Sequence, residues 1–178
     1  MIPYGRHFID DEDIQAVISQ LRSGSLTQGA TVEVFENKVK NYVGAKYAVA
    51  VSSGSAGLHM AYQAVEIKKG ETLLTSPITF VATANAAIHL GANVIFADIE
   101  EDTLNISPIL IEKNLNYNKS IKIISPVHFG GLPCDMKLIK EQANYSNAFI
   151  VEDAAHALGS AYKDGSLVGN CKYSDMTV

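Results

Sequence analysis

The stretch Ile150-Val151-Glu152-Asp153-Ala154-Ala155-His156-Ala157-Leu158-Gly159 decides how the fold of this chain is interpreted. Its apolar start is typical of a buried strand, and its small and polar end is typical of the loop that follows. The strand therefore delivers Asp153 and His156 at its carboxyl end, where open α/β sheets bind their ligands. The same pattern also fits a surface aspartate that caps a loop.

The chain around this stretch predicts strands that alternate with helices. The predicted strands cover 47–52, 72–76, 93–99, 121–127 and 148–152, and the predicted helices cover 55–67, 79–90, 108–116 and 135–145. Several strands are apolar on both faces, as in a parallel sheet that helices cover on both sides. The alternation predicts a doubly wound, mostly parallel α/β sheet built from right-handed βαβ units.

Two helices are predicted before the sheet. The first begins at Asp10 and has an apolar face, and the second is expected to start with Thr31 as its cap and to end at Gly44. Residues 1–30 are accordingly assigned to an N-terminal arm and helix, and residues 31–178 to the sheet domain.

The last residues of the chain predict a hairpin and the start of another strand. The hairpin covers 162–169 with Asp164-Gly165 as its turn, and the strand begins near Ser174. Because the chain stops within that element, we expect the sheet domain to be incomplete and a C-terminal small domain to be missing.

The composition of the 178 residues narrows the class of protein. A hydrophobic content of 47% and a charged content of 19% are typical of a soluble globular domain. A net charge of −5 argues against nucleic acid or an anionic membrane as the main partner. No apolar run approaches the roughly 20 residues that span a bilayer. With only Cys134 and Cys171 and no apolar signal core, a reduced, cytoplasmic setting is expected.

A loop of small residues between a predicted strand and helix is a candidate anion site. It reads Ser52-Ser53-Gly54-Ser55-Ala56-Gly57, so the backbone can approach a ligand closely, and the helix start presents free N–H groups. The loop matches neither the Walker pattern nor the dinucleotide-binding Gly-x-Gly-x-x-Gly pattern. The alternative interpretation is a tight turn that binds no ligand.

Two other residues follow strands and so fall on the same edge of the sheet. Phe80 can stack on a planar ring, or it can be an ordinary core residue. His128 is more often a structural residue at such a position. A metal site formed by His128, His156 and Asp153 is the less favoured alternative, because no short paired spacing supports it.

The joint arrangement of these signals is more informative than any one of them. An anion loop, an aromatic ring and a carboxylate on one edge supply a phosphate cradle, a ring stacker and a partner for a ring nitrogen. A phosphorylated, planar, nitrogen-containing cofactor meets all three demands. Pyridoxal 5'-phosphate is such a molecule, and an aspartate typically pairs with its pyridine nitrogen.

With these residues in hand, the sequence resembles the DegT/DnrJ/EryC1/StrS sugar aminotransferases, which are pyridoxal-phosphate enzymes of fold type I. The resemblance runs along the whole chain and is strongest at 152–159, with further matches at 25–29, 52–58, 77–85 and 91–98. Within the family, Ile2-Pro3-Tyr4 and 75–85 look most like the branch that aminates a UDP-linked keto-deoxysugar for flagellar pseudaminic acid.

The resemblance implies a role for individual residues of this chain. Ser53, Gly54, Ser55 and Ala56 would hold the cofactor phosphate; Phe80 and Ala155 would contact the two ring faces; Asp153 would pair with the ring nitrogen, and His156 would lie near the ring hydroxyl. Tyr4, Gly24, Ser25, Leu26 and Thr27 would face the substrate. The resemblance also implies a homodimer, a nucleotide-sugar substrate and glutamate as amino donor.

The resemblance leaves the catalytic lysine unplaced. The family's Schiff-base lysine would lie beyond Val178, and neither Lys163 nor Lys172 fits its position. Three alternatives follow: a dehydratase of the same family in which histidine replaces the lysine, a non-catalytic binding domain, or an unrelated nucleotide-binding domain. The last does not explain the Asp153 segment.

Overall fold

The computed structural model describes residues 7–27 and 29–178. The helices, in chain order, are α1 (Asp11–Arg22), α2 (Ala30–Val43), α3 (Gly54–Ala64), α4 (Ala82–His89), α5 (Pro108–Tyr117) and α6 (Met136–Ser146). The strands are β1 (Thr72–Thr75), β2 (Asn93–Phe96), β3 (Ile121–Ser125), β4 (Phe149–Glu152) and β5 (Met176–Thr177).

The five strands form one parallel sheet in the order β2-β1-β3-β4-β5. The order reverses between β1 and β3, which is the switch point where doubly wound sheets open a ligand crevice at their carboxyl edge. The predicted α/β fold class is therefore confirmed. All strands carry their C-terminal loops to the same edge, and this places Phe80, after β1, on the same edge as Asp153, after β4.

Two apolar clusters lie on opposite faces of the sheet. One contains Leu73, Ile123 and Val151 with residues of α3 and α4. The other contains Leu74, Ile124 and Ile150 with residues of α5 and α6. Because neighbouring strand residues point to opposite faces, adjacent apolar residues in β1, β3 and β4 supply both cores. This double burial explains the apolar runs in the sequence.

The N-terminal helix follows its prediction, whereas the cap of the next helix does not. Asp10 caps α1 and forms a capping box with Asp13. The prediction that Thr31 caps α2 is wrong, because α2 begins at Ala30 after Gly29, without a side-chain cap. The Thr31 hydroxyl instead donates to the side-chain oxygen of Gln20. The helix ends at Gly44 as predicted.

The predicted strand at 47–52 is wrong. The segment is extended without strand pairing, and Tyr47 and Val49 are exposed. Its β-branched residues satisfy the local preference for a strand, but a strand also needs a neighbour, and β4 pairs with β3 and β5 instead. The Ala50 amide donates to the Glu36 carboxylate, at 2.8 Å, rather than to another strand.

Several other boundaries are shorter than predicted. Helix α3 ends before Ile67, α4 starts only at Ala82, and β2 ends at Phe96. The hairpin at 162–169 is present as a bridge between Ala161 and Leu167, and β5 occupies the predicted final strand. Within the described residues, no helix combines the length and apolar character needed to cross a membrane.

Candidate cofactor site at the carboxyl edge of the sheet

Asp153 lies directly after β4, at the carboxyl edge of the sheet. It is only 6% exposed, and its backbone continues the sheet by pairing with Val127 in parallel. Its Oδ2 accepts a hydrogen bond of 2.6 Å from the hydroxyl of Thr83, in α4. Its Oδ1 accepts a long contact of 3.4 Å from the Ala155 amide. Oδ2 of the carboxylate thus accepts a short hydrogen bond, and Oδ1 accepts only a long one.

The loop predicted to bind an anion forms the N-terminus of α3. Ser53 is the cap, and its hydroxyl accepts from the Ala56 amide at 3.2 Å. The amides of Gly54 and Ser55 belong to the first turn, whose N–H groups have no partner within the helix. The first turn contains no acidic residue. Free amides and the positive end of the helix dipole together favour a phosphate.

One residue connects the Asp153 loop to this helix start. The Ala154 amide donates to the carbonyl oxygen of Val178 at 2.6 Å. The side chain of Val178 packs against Gly57, where a Cβ atom would lie 2.7 Å from Cγ1 of Val178. The loop after β4 and the first turn of α3 are therefore separated by the width of a single residue.

Phe80 lies between β1 and α4 and is 74% exposed, so it is not a core residue. It lines a groove of about 300 Å³ together with Ser55 and Ala56 of the first turn of α3. Its carbonyl oxygen accepts from Thr83, the residue that also binds Asp153. The structure thus brings the anion loop, the aromatic ring and the carboxylate into one region. The roles of these residues in binding a cofactor stay predictions.

Ala155 and His156 lie in the tight turn that follows Asp153, and both are exposed. The turn is held from below by Gly131, where a Cβ atom would lie 2.7 Å from the carbonyl oxygen of His156. The hydroxyl of Ser160 donates to the carbonyl of Gly131 at 2.7 Å. The position of the turn therefore depends on close backbone approach at residue 131.

We expect Gly131→Ala to destabilise the domain more than Gly130→Ala, by about 1–3 kcal/mol. Both glycines have positive φ, of +86° and +59°, so both alanines carry backbone strain. Only residue 131 also meets a neighbour, since nothing lies within 4 Å of a Cβ at residue 130. Urea unfolding of the two variants measures the difference, and equal losses would contradict the close-approach argument.

His128 lies beneath the site in a buried network with Glu152. Its Nδ1 accepts from the Cys134 amide at 3.1 Å, which leaves the proton on Nε2 to donate to Glu152 at 2.8 Å. Both side chains are fully buried. Glu152 also accepts from the hydroxyls of Tyr162, at 2.7 Å, Thr177, at 3.0 Å, and Ser174. Four donors thus satisfy one buried carboxylate.

This network sets the pKa of Glu152 and the role of His128. Burial raises the pKa of Glu152, but hydrogen bonds from His128, Ser174 and Tyr162 outweigh it and hold the pKa below its ordinary value. Burial and the neighbouring carboxylate raise the pKa of Tyr162, which stays a donor. Both ring nitrogens of His128 make hydrogen bonds within the protein, as in a structural histidine. The described residues hold no group of three metal-ligating side chains.

The residues predicted to face the substrate are not brought to this site. Gly24, Ser25, Leu26 and Thr27 lie in the exposed loop after α1, and Leu26 is 66% exposed. Among the contacts of the described residues, the Ser25 carbonyl accepts from Gln20, also near the end of α1. Tyr4 lies outside the described residues. Their substrate role stays a prediction.

Sequence reasoning missed two residues that support the site, Thr83 and Glu152. Thr83 follows Thr79 by four residues, a spacing that places two hydroxyls on one side of a helix entrance. Glu152 precedes Asp153 in a strand, so the two carboxylates must face opposite sides of the sheet. A buried glutamate needs hydrogen-bond donors. His128, which follows the neighbouring strand β3, was the residue in the sequence that could have indicated such a donor.

A free helix N-terminus, an exposed aromatic ring and a buried carboxylate at one edge of a parallel sheet are features of a cofactor-binding α/β domain. The model of the DegT/DnrJ/EryC1/StrS aminotransferase family matches residues 7–177. This chain belongs to that family. The family resemblance predicted from the sequence is thereby confirmed.

Individual relatives agree with this assignment. The chain is 46% identical over 162 residues to the spore coat polysaccharide biosynthesis protein SpsC of Bacillus subtilis, covering 91% of this chain and 41% of the relative. It is 43% identical over 171 residues to UDP-4-amino-4,6-dideoxy-N-acetyl-beta-L-altrosamine transaminase of Campylobacter jejuni, covering 96% and 45%. The chain thus spans less than half the length of these relatives.

A solved structure shares the same fold. Spr1654 of Streptococcus pneumoniae, in its PMP form, superposes with a TM-score of 0.91 at 27% identity, covering 99% of this chain and 47% of that one. The same protein has also been solved in its PLP form. The predicted large-domain fold of a sugar aminotransferase is therefore confirmed.

Proposed function

We propose that the whole protein containing this chain transfers an amino group from glutamate to the keto carbon of a nucleotide-linked deoxysugar, with pyridoxal 5'-phosphate as cofactor. The observation that carries the proposal is the buried Asp153 carboxylate, anchored by Thr83 within one residue's width of the α3 N-terminus. This pairing of an acceptor for a ring N–H with a cradle for phosphate suits that cofactor.

The residues present fit the cofactor at each of its polar ends. The free amides of Gly54 and Ser55, with the hydroxyls of Ser53 and Ser55, would hold the phosphate. The small side chains of Ala56 and Ala155 leave room for a flat ring, and the exposed ring of Phe80 would stack on one face of it. His156, exposed in the turn after Asp153, would lie near the ring hydroxyl.

When bound, the cofactor supplies an electron sink for breaking a bond next to the transferred nitrogen. Asp153 stabilises a proton on the ring nitrogen, because its carboxylate lies in a buried setting where an opposite charge is favoured. The Ser53 hydroxyl accepts from the Ala56 amide and so fixes the first turn of α3, which leaves the amides of Gly54 and Ser55 available to the phosphate. The exposed Phe80 would exclude water from the ring face it covers.

We further propose that a lysine beyond Val178 binds the cofactor and moves the proton between carbons. We also propose that the protein is a cytoplasmic homodimer. In it, Tyr4 and the 24–27 loop face the substrate, either in their own subunit or in the neighbouring one. The exposed position of Leu26 supports a contact outside this chain.

The preferred substrate is UDP-4-keto-6-deoxy-N-acetylhexosamine, on the route to a surface or flagellar sugar such as pseudaminic acid. The Campylobacter jejuni relative, a transaminase of a UDP-linked amino sugar, supports this choice. The Bacillus subtilis relative acts in spore coat polysaccharide biosynthesis by its name, and supports a surface sugar in the broader sense.

Reduction with borohydride tests the proposal directly. The whole protein is loaded with pyridoxal phosphate, scanned for absorbance, reduced, and digested for mass spectrometry, which should find the cofactor on one lysine beyond Val178. The loaded protein should then convert the UDP-keto sugar and glutamate to a UDP-amino sugar and 2-oxoglutarate. Loss of water from the sugar without a modified lysine would instead identify the dehydratase, and absence of cofactor binding would overturn the proposal.

A further inference from the structure

Thr83 is the one side chain that binds Oδ2 of Asp153 among the contacts of the described residues. The two oxygens are 2.6 Å apart, and Thr83 is fully buried. A carboxylate accepts hydrogen bonds and a threonine hydroxyl has a single proton to give. Thr83 therefore donates that proton to Asp153. The Phe80 carbonyl, 3.1 Å from the same hydroxyl, is the weaker of the two acceptors for this proton.

A second threonine completes a directed chain of hydrogen bonds. The hydroxyl of Thr79 lies 2.7 Å from that of Thr83. Because the proton of Thr83 is committed to Asp153, Thr79 is the donor in this contact. The chain runs from Thr79 through Thr83 to the carboxylate, and hydrogen bonds in such a chain polarise one another.

The backbone of Thr83 is fixed independently of its side chain. Its carbonyl oxygen lies 3.2 Å from the hydroxyl of Tyr62, whose single proton is shared between that carbonyl and the hydroxyl of Ser125, which lies closer at 2.9 Å. Ser125 in turn donates to the carbonyl of Val151 at 2.8 Å. Burial raises the pKa of Tyr62, so the phenol keeps its proton. These contacts connect α3 and α4 to β3 and β4 and so locate the backbone of Thr83 relative to the strand that carries Asp153.

We propose that Thr83 is the positioning residue for Asp153, setting which carboxylate oxygen faces the cofactor's ring nitrogen. The last torsion of an aspartate side chain is broad and roughly two-fold, so packing alone defines it poorly. A short hydrogen bond to Oδ2 fixes the carboxylate plane and leaves Oδ1, with only its long contact to the Ala155 amide, as the free acceptor. This inference rests on the proposed function for its catalytic consequence.

Replacing Thr83 with valine removes the hydroxyl but keeps the branched shape of the side chain. In the whole protein we expect kcat to fall about 10- to 100-fold, the loss typical of a hydrogen bond to a charged group, with KM for the sugar nucleotide unchanged. The pH dependence of the cofactor's absorbance should shift, because the partner of its ring nitrogen is no longer held in place. Thr83→Ser keeps the donor and should restore both properties.

A matched control separates positioning from general loss of a buried hydroxyl. Thr72 is also buried, and its hydroxyl is hydrogen-bonded to that of Ser120. Thr72 is the first residue of β1 and so lies at the opposite end of the strand from the carboxyl edge. Thr72→Val should leave kcat and the absorbance profile at wild-type values. If Thr72→Val and Thr83→Val reduce kcat equally, or if Thr83→Ser fails to restore it, the positioning role is overturned.

A readout without cofactor tests the inference separately from the proposed function. In crystals of the whole protein without cofactor, the Asp153 carboxylate should turn away from its wild-type plane in Thr83→Val and keep that plane in Thr83→Ser. An unchanged plane in Thr83→Val would overturn the inference even if the enzyme proved to be an aminotransferase. Failure of the wild type to bind cofactor would overturn the proposed function, while the carboxylate orientation would still decide the role of Thr83.

Discussion

Asp153→Asn is expected to leave pyridoxal phosphate bound to the whole protein and to reduce kcat by about 10²- to 10⁴-fold, the range in which single acid–base and electrostatic groups act. Asparagine has nearly the shape of aspartate, and its side-chain oxygen can still accept from Thr83. The phosphate contacts at the α3 N-terminus are untouched. What is lost is the negative charge that keeps a proton on the ring nitrogen.

Stopped-flow and steady-state assays of amino transfer measure this loss, and the absorbance of the bound cofactor measures its retention. Asp102→Asn is the matched control, since Asp102 is an exposed aspartate in the turn after β2. It should keep wild-type turnover. A rate for Asp153→Asn within a few-fold of the wild type would refute the assignment of Asp153 as the partner of the ring nitrogen.

Glu152→Ala is expected to lower the free energy of unfolding by about 3–5 kcal/mol, because several buried donors lose their shared acceptor and the side chain leaves a cavity. The donors of His128 and Tyr162 stay buried with no acceptor, and the cavity lies where the Glu152 carboxylate meets them. Urea unfolding of the whole protein without cofactor measures the change. Glu112→Ala, at an exposed position of α5, should change stability by less than about 0.5 kcal/mol.

The same carboxylate predicts how stability depends on pH. The pKa of Glu152 is lower in the folded chain than in the unfolded chain, because donated hydrogen bonds outweigh burial. Its contribution is therefore present above the unfolded pKa of about 4.3 and is lost as pH falls through the folded value. Unfolding measured between neutral pH and about pH 3 should show this loss, and Glu152→Gln should flatten it. An identical pH slope in both proteins would contradict the network.

The sequence alone predicted the parallel sheet and the edge on which the site lies. Apolar residues side by side in β1, β3 and β4 require cover on both faces, and this implies parallel strands with helices between them. Once the strands are parallel, residues that follow them must meet at one edge. This reason holds for Phe80 after β1 and Asp153 after β4, whereas Ser53 lies at the same edge although the strand predicted before it does not form.

Local patterns failed where a partner elsewhere in the chain decides the outcome. The segment 47–52 has the composition of a strand, yet β4 pairs with β3 and β5 and the segment finds no neighbour. Thr31 has the composition of a helix cap, yet its hydroxyl binds Gln20 of the preceding helix. In both cases a tertiary contact overrode a preference of the local sequence.

The support beneath the site was decided by the tertiary structure. Composition and spacing do not show that Thr83, Asp153 and Tyr62 converge, because those residues are far apart in sequence and their hydrogen bonds depend on how α4 packs against β4. The same holds for Glu152, whose four donors come from three separate segments. The sequence determined the chemistry available at the sheet edge, since periodicity and residue type are local properties. Packing determined which of those groups are held in place, since orientation arises from contacts between distant parts of the chain.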